Sequence, residues 1–242
     1  MKVVCLWSGP RNISTALMYS FAERDDTTVV DEPLYGHFLR VSGAAHPGRD
    51  EVMAAVNCDG RQVVKKLLSE SNGSPKVLFV KLMAHHFVDL DDQFLKRTLN
   101  IFLIRDPKEM LPSLTIQLPR AKLEDTGLKM QWQLFKMLDD CGQTPAVIDS
   151  RELLLDPAGV LRKLCDSLEI EYTDNMLTWQ SGPRKEDGVW APYWYHAVHK
   201  STGFSKYVAK KDFLAHLEPL LAECKPWYDK LYKRAIRASC GD

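Results

Sequence analysis

Short apolar runs alternate with longer amphipathic stretches along this chain. Residues 3–7, 28–30, 77–80, 101–104 and 146–148 are apolar segments of strand length, each followed by sequence with helical spacing. Runs that are apolar throughout suit strands buried on both faces, so the alternation predicts a parallel sheet with helices on either side. Helices are predicted over 14–23, 109–116, 128–139 and 157–168, the last with Pro157 near its first position after an Asp156 cap. A further helix, 61–68, lies within the polar stretch 42–75, which has glycines at both ends and reads as an excursion over the sheet edge. Residues 180–203 mix glycine, proline, aromatics and cations without period and read as a functional loop or lid, before helical spacing returns over 212–236.

Composition narrows the class. The 242 residues are 45% hydrophobic and 26% charged, enough to bury a core as a single α/β domain over 1–242. Lys plus Arg and Asp plus Glu number 32 each, so no global field favours nucleic acid or an anionic membrane. Any anion has to be held by a local cluster. The cysteines Cys5, Cys58, Cys141, Cys165, Cys224 and Cys240 form no Cys-x-x-Cys pair, which argues against a zinc site or a disulfide framework and fits a reducing compartment. The opening apolar run is too short for a signal peptide or a membrane span, and a cytoplasmic location is expected.

Candidate chemistry begins at the first strand end, where Ser8-Gly9-Pro10-Arg11-Asn12-Ile13-Ser14-Thr15 leads into a helix. A helix N-terminus offers unpaired N–H groups and a positive dipole end to an anion. The loop of nucleotide triphosphatases, G-x-x-x-x-G-K-[ST], is broken here: counted from Gly9, Ser14 takes the second glycine's place and Thr15 the lysine's.

Pro10-Arg11 followed by Ser14-Thr15 instead resembles the 5′-phosphosulfate loop of sulfotransferases that use PAPS (3′-phosphoadenosine 5′-phosphosulfate). The resemblance implies that Arg11, Asn12, Ile13, Ser14 and Thr15 hold the phosphosulfate, with Arg11 as the cation. Asn12-Ile13 stands where that family has Ser-Gly, which implies a stiffer loop. In the same family an arginine after a strand and a serine in the next helix grip the donor's 3′-phosphate, and Arg105 after 101–104 with Ser113 downstream matches that arrangement. Guanidinium forks onto phosphate oxygens, and a hydroxyl adds a neutral donor. Arg184 and Lys185, within 182–190, are similar to the family's C-terminal Arg-Lys-Gly loop, although Glu186 replaces the glycine. An ordinary solvated basic loop explains that segment equally well.

Sulfuryl transfer needs positioning, charge stabilisation and a base for the acceptor's proton. Glu32, just past 28–30, matches the catalytic glutamate of carbohydrate-type and bacterial members. His85 is the competing base, displaced from the Lys-x-His of cytosolic members because Met83 fills the histidine's place. Lys81 is expected to neutralise charge on the bridging oxygen beside Arg11. The aromatics Trp190, Tyr193, Trp194 and Tyr195 fit either core packing or an acceptor pocket with cation–π capacity.

The resemblance implies a three-layer P-loop NTPase-like α/β fold with a central parallel sheet of about five strands flanked by helices. It implies transfer from PAPS, with PAP (adenosine 3′,5′-bisphosphate) as product, to a hydroxyl or amine of a small-molecule acceptor, without metal, nucleic acid or membrane. Two other readings stay open: a nucleotide kinase or NTPase with Asp31-Glu32 as its magnesium-holding strand end, and a catalytically silent nucleotide-binding module.

Overall fold

The computed structural model describes residues 1–69, 76–209 and 213–239. Cys240, the tract 71–75 and the Asp212 start of the last helical stretch lie outside the described residues. The strands are β1 (Lys2–Ser8), β2 (Thr27–Asp31), β3 (Val77–Met83), β4 (Leu99–Ile104), β5 (Ala146–Asp149) and β6 (Ala235–Ile236). They form one parallel sheet in the order β2-β3-β1-β4-β5-β6. The five expected strands are present, and the sixth is a correction at the chain end. The last helical stretch stops at Tyr232, and Ala235–Ile236 pairs with Val147 and Ile148 of β5. Two residues carry no readable period, so this strand is made by pairing rather than pattern.

The helices are α1 (Ser14–Ala22), α2 (Tyr35–Ser42), α3 (Arg49–Ala55), α4 (Gly60–Ser69), α5 (Pro107–Leu114), α6 (Leu123–Thr126), α7 (Leu128–Asp140), α8 (Ser150–Leu155), α9 (Pro157–Ser167), α10 (Ala191–Trp194) and α11 (Glu218–Tyr232). Alternate residues of β1 serve opposite layers, as the two-residue period of a strand requires. Val3, Cys5 and Trp7 pack with α5, α7 and α11, whereas Val4 and Leu6 pack with α1 and α9. Helix α5 starts two residues before the expected 109, because the Asp106 side chain accepts from Lys108 N–H at 2.8 Å and Pro107 takes the first turn.

The excursion after β2 does more than skirt an edge. Tyr35, Phe38, Leu39 and Val52 form a third apolar cluster with Trp190, Ala191 and Tyr195 from the 180–203 segment. Parallel strands all deliver their C-terminal ends to one edge of the sheet, where ligands of open α/β sheets bind. Here that edge carries the loop after Ser8, the Asp31-Glu32 pair, Met83 and Arg105. Among the described residues no helix is long and apolar enough to cross a membrane.

Candidate active site

The loop from Ser8 to Ser14 is held from several sides. Gly9 is required by close approach: a Cβ there would lie 2.5 Å from the Thr126 carbonyl oxygen. Asn12 Nδ2 donates to the Leu103 carbonyl at 3.1 Å, and Ser150 Oγ donates to the Asn12 carbonyl at 3.0 Å. Arg105 Nη1 donates to the Arg11 carbonyl at 2.9 Å. Both Arg11 and Ile13 sit in the left-handed region, at φ 60° and 61°. For a β-branched residue such a conformation costs on the order of 1–3 kcal/mol, which the surrounding bonds hold in place. The glycine of the related loops would take this shape freely, so Ile13 keeps the shape without the glycine.

Ile13 is the cap position of α1 and makes no side-chain cap bond, so the helix presents an open N-terminus. Residues 11–16 line a cavity of about 260 Å³ together with Arg105, Ser113, Trp194, Ser201 and Phe204. No carboxylate is among its described lining residues. Arg11 Nε donates to Ser113 Oγ at 2.9 Å, joining the two sequence anchors directly. Burial, followed by the like charge of Arg105, pulls the Arg11 guanidinium below its ordinary pKa. Arg11 and Arg105 both line this cavity beside the open helix N-terminus, a setting that favours an anion, and Glu109 pairs with Arg105 at 3.4 Å from outside the lining.

A second, smaller cavity of about 70 Å³ adjoins the first and shares Arg11, Ser14, Thr15 and Trp194 with it. Glu32, Lys81 and His85 lie on this one. Lys81 and Asp31 are cross-strand partners in β3 and β2, and the peptide N–H of Glu32 donates to the Lys81 carbonyl at 2.9 Å. The Lys81 ammonium donates to Asp31 Oδ1 at 2.8 Å, to Glu32 Oε1 at 2.5 Å and to Tyr195 Oη at 2.6 Å. The Tyr195 hydroxyl lies 2.7 Å from Asp31 Oδ2, and Gly188 N–H donates to the same oxygen at 3.1 Å. Glu32 itself takes φ 36°, a left-handed turn that aims it off the strand end.

Burial, reinforced by Asp31 and opposed by Lys81, raises the Glu32 carboxyl above the usual range. Burial alone would lower Lys81, but Asp31 and Glu32 overcome it and hold the ammonium above its ordinary value. His85 behaves oppositely: burial and neighbouring His46 push its imidazole down to about 3. Among the described residues neither His85 Nδ1 nor His86 Nδ1 has a hydrogen-bond partner, and the His86 ring stacks on Tyr35 and Phe38.

The structure thus brings Arg11, Asn12, Ile13, Ser14, Thr15, Arg105 and Ser113 to one cavity, and Glu32, Lys81 and His85 to its neighbour. Arg184 and Lys185 are not brought there. Arg184 pairs with Glu23 and covers the Tyr19 ring at 4.6 Å, while Lys185 is 91% exposed and faces Glu186 at 3.7 Å. The stretch around Ser201–Phe204, rather than the basic pair, supplies the cavity wall from this part of the chain. Of the aromatic run, Trp190 and Tyr195 are buried, Trp194 lines both cavities, and Tyr193 donates to Glu51. Asp31 and Tyr195 as partners of Lys81, and Asp125 and His46 on the smaller cavity, were not assigned these places by sequence reasoning. Asp31 alone had a local signal, its position beside Glu32 at a strand end.

A parallel sheet whose first strand runs through a tight loop into an open helix N-terminus defines a P-loop-like α/β protein. The chain belongs to the sulfotransferase-domain family, whose model matches residues 1–235. It is 44% identical over 241 residues to branched-chain-amino-acid aminotransferase-like protein 1 of Arabidopsis thaliana, covering 98% of this chain and 43% of that protein. It is 41% identical over 235 residues to the aminotransferase-like protein 2 of the same plant, covering 96% of this chain and 41% of that protein. The chain therefore spans about two fifths of the length of these curated relatives. Among solved structures it is similar to a sulfotransferase from Alicyclobacillus acidocaldarius, with TM-score 0.57, 11% identity, and coverage of 98% of this chain and 97% of that one. It is also similar to the sulfotransferase domain of the Synechococcus PCC 7002 olefin synthase, with TM-score 0.51, 16% identity, and coverage of 92% and 94%. At those identities the likeness concerns the fold.

Proposed function

We propose that this chain transfers the sulfuryl group of PAPS to a hydroxyl of a small acceptor. The observation that carries the reading is the larger cavity, where Arg11, Arg105, Ser113 and the open α1 N-terminus converge with no carboxylate among the described lining residues. A donor with phosphate groups at its 5′ and 3′ positions offers one anion to each of the two guanidiniums that line this cavity. Arg11 and the α1 N–H groups take the 5′-phosphosulfate, and Arg105 with Ser113 takes the 3′-phosphate.

In the transfer, the acceptor oxygen forms a new bond to sulfur while the bond from sulfur to the donor's bridging oxygen breaks. The electron pair leaves on the 5′-phosphate of PAP, where Arg11 offsets the new charge. The acceptor's proton goes to Glu32, whose raised carboxyl makes a better base than an ordinary glutamate. Lys81 keeps Glu32 oriented through Oε1. A His85 imidazole held at about 3 is too weak a base to compete, although it lines the same cavity.

The kinase reading asks Asp31 to hold magnesium. Both of its oxygens are already engaged by Lys81, Tyr195 and Gly188 N–H, which favours a structural role for that carboxylate. Arg11 and the helix N-terminus supply the positive charge in place of a metal, while Lys81 is taken up by Asp31 and Glu32. The test is transfer of labelled sulfate from PAPS to a panel of small alcohols in excess chelator. Labelled product in the chelator supports the reading, and transfer that needs added magnesium contradicts it.

A further inference from the structure

The smaller cavity has a chemistry that the donor does not explain. Its wall includes the rings of Tyr35, His46, His86 and Trp194 and two carboxylates, Glu32 and Asp125. The imidazoles bring no charge: burial drives His86 well below its ordinary value and also lowers His46, against the opposing pull of Asp125. The Lys81 ammonium is taken up by Asp31 and Glu32, so this trio sums to one negative charge when both carboxylates are ionised. Asp125 adds another, and its Oδ2 accepts from the Lys122 peptide N–H at 2.8 Å.

The remaining cation on this wall is Arg11, whose Nε is turned to Ser113 on the donor side. Once a phosphosulfate occupies the larger cavity, that charge is offset and the smaller cavity is negative. Apolar walls strengthen such a field because they screen it poorly. Trp194 adds a π face, which attracts cations, whereas the Tyr35 ring is covered by His86. His86, on this wall, is only 1% exposed, and among the described residues its Nδ1 has no hydrogen-bond partner. A neutral or anionic alcohol would leave Asp125 without a counter-charge in this setting.

We infer that the acceptor is a small alcohol carrying a cationic amine, with its hydroxyl at Glu32 and its ammonium held by Asp125 and the ring of Trp194. This rests on the sulfotransferase reading and names the acceptor class for it. A protonated ammonium has no lone pair with which to attack sulfur, so the hydroxyl is the nucleophile. Its oxygen gains the sulfuryl group, Glu32 receives its proton, and PAP leaves with the electron pair of the broken bond. Donor and acceptor then bind with positive coupling, each strengthening the other.

The experiment compares 3-amino-1-propanol, 1-butanol and 3-hydroxypropanoate, three alcohols of similar length and different charge. Each is titrated into the protein saturated with PAP by calorimetry, and each is offered as acceptor with labelled PAPS. The amino alcohol is expected to bind and to be sulfated with the highest kcat/KM. Asp125→Asn keeps an oxygen for the Lys122 N–H and should lower the ratio of kcat/KM for the amino alcohol over butanol by about ten- to a hundredfold. Should that variant fail to fold, Trp194→Leu reads the same ratio through the π face. PAP binding measured on the same samples reports the donor site separately, and its absence removes the sulfotransferase reading itself. With PAP bound, preference for butanol or the hydroxy acid overturns the cationic acceptor. So does an unchanged ratio in the variant, or failure of all three alcohols to bind or react.

Discussion

Lys81 reaches Glu32 at 2.5 Å because β3 and β2 lie side by side in register, with Asp31 opposite Lys81 and Glu32 one residue further on. One ammonium therefore serves two carboxylates and the Tyr195 hydroxyl in a site that water scarcely enters. Charges so placed are tolerated only as a set, and removing one member exposes the cost of the others.

Lys81→Met should accordingly destabilise the fold by about 3–5 kcal/mol at neutral pH, since it leaves two buried carboxylates without their counter-charge. Carboxyls in that state have folded pKa values raised above the unfolded ones. Their protonated forms are favoured in the fold, so stability relative to wild type is retained below the ordinary carboxylate pKa and lost as pH rises. Urea unfolding of both proteins at pH 5 and pH 8 measures this, and the gap should widen at the higher pH.

Glu32→Gln keeps the side chain's shape and its bond to Lys81 but removes the base. Single-turnover transfer from saturating PAPS should fall roughly 10²–10⁴-fold, with PAP affinity little changed because Glu32 lines the smaller cavity and not the larger. His85→Gln run beside it should retain far more activity. Full activity in the Glu32 variant with collapse in the His85 variant would reverse the assignment.

His85 carries a pH signature in stability. Its folded value of about 3 lies below the ordinary histidine value, so the fold binds its proton less readily than the unfolded chain does. That contribution is fully present above about pH 6.5 and is lost as pH falls toward the folded value, at about 1.4 kcal/mol per pH unit. The change in unfolding free energy between pH 7 and pH 5 should therefore be smaller in His85→Gln than in wild type, by about one histidine's share. Equal pH slopes would show that His85 is solvated in solution.

The fold was legible where burial leaves a local trace. Strands β1, β3, β4 and β5 are almost wholly buried and read as apolar runs, the edge strand β2 reads as one despite an exposed Thr28, and Ala235–Ile236 is a strand only because β5 offers it an edge. Arg11 and Ser113 were legible as separate motifs, but their 2.9 Å hydrogen bond spans 102 positions of sequence. Tyr195 reaches Lys81 across a still larger separation, and nothing in the local string around it announces that partner. Arg184 shows the reverse failure. Its neighbourhood is only loosely similar to a family loop, with Glu186 in the glycine's place, while Tyr19 on α1 and Glu23 just past its end offer the guanidinium a ring face and a carboxylate away from the donor cavity. Ile13 was read as a departure from the loop pattern, and only the backbone shows that it adopts the φ of 61° that a glycine would take without strain.

On the proposed function, the cavity between the α1 N-terminus and Arg105 receives a nucleotide with phosphates at its 3′ and 5′ positions. Calorimetric titration of PAP into the protein in excess EDTA tests it most directly, with Arg105→Ala and Mg·ATP as the comparisons. PAP should bind without metal, and loss of the guanidinium should weaken it by about 1.5–3 kcal/mol, the worth of a charge-assisted bond. Tight binding of Mg·ATP with no heat from PAP, or PAP binding that is the same in Arg105→Ala, would contradict the account.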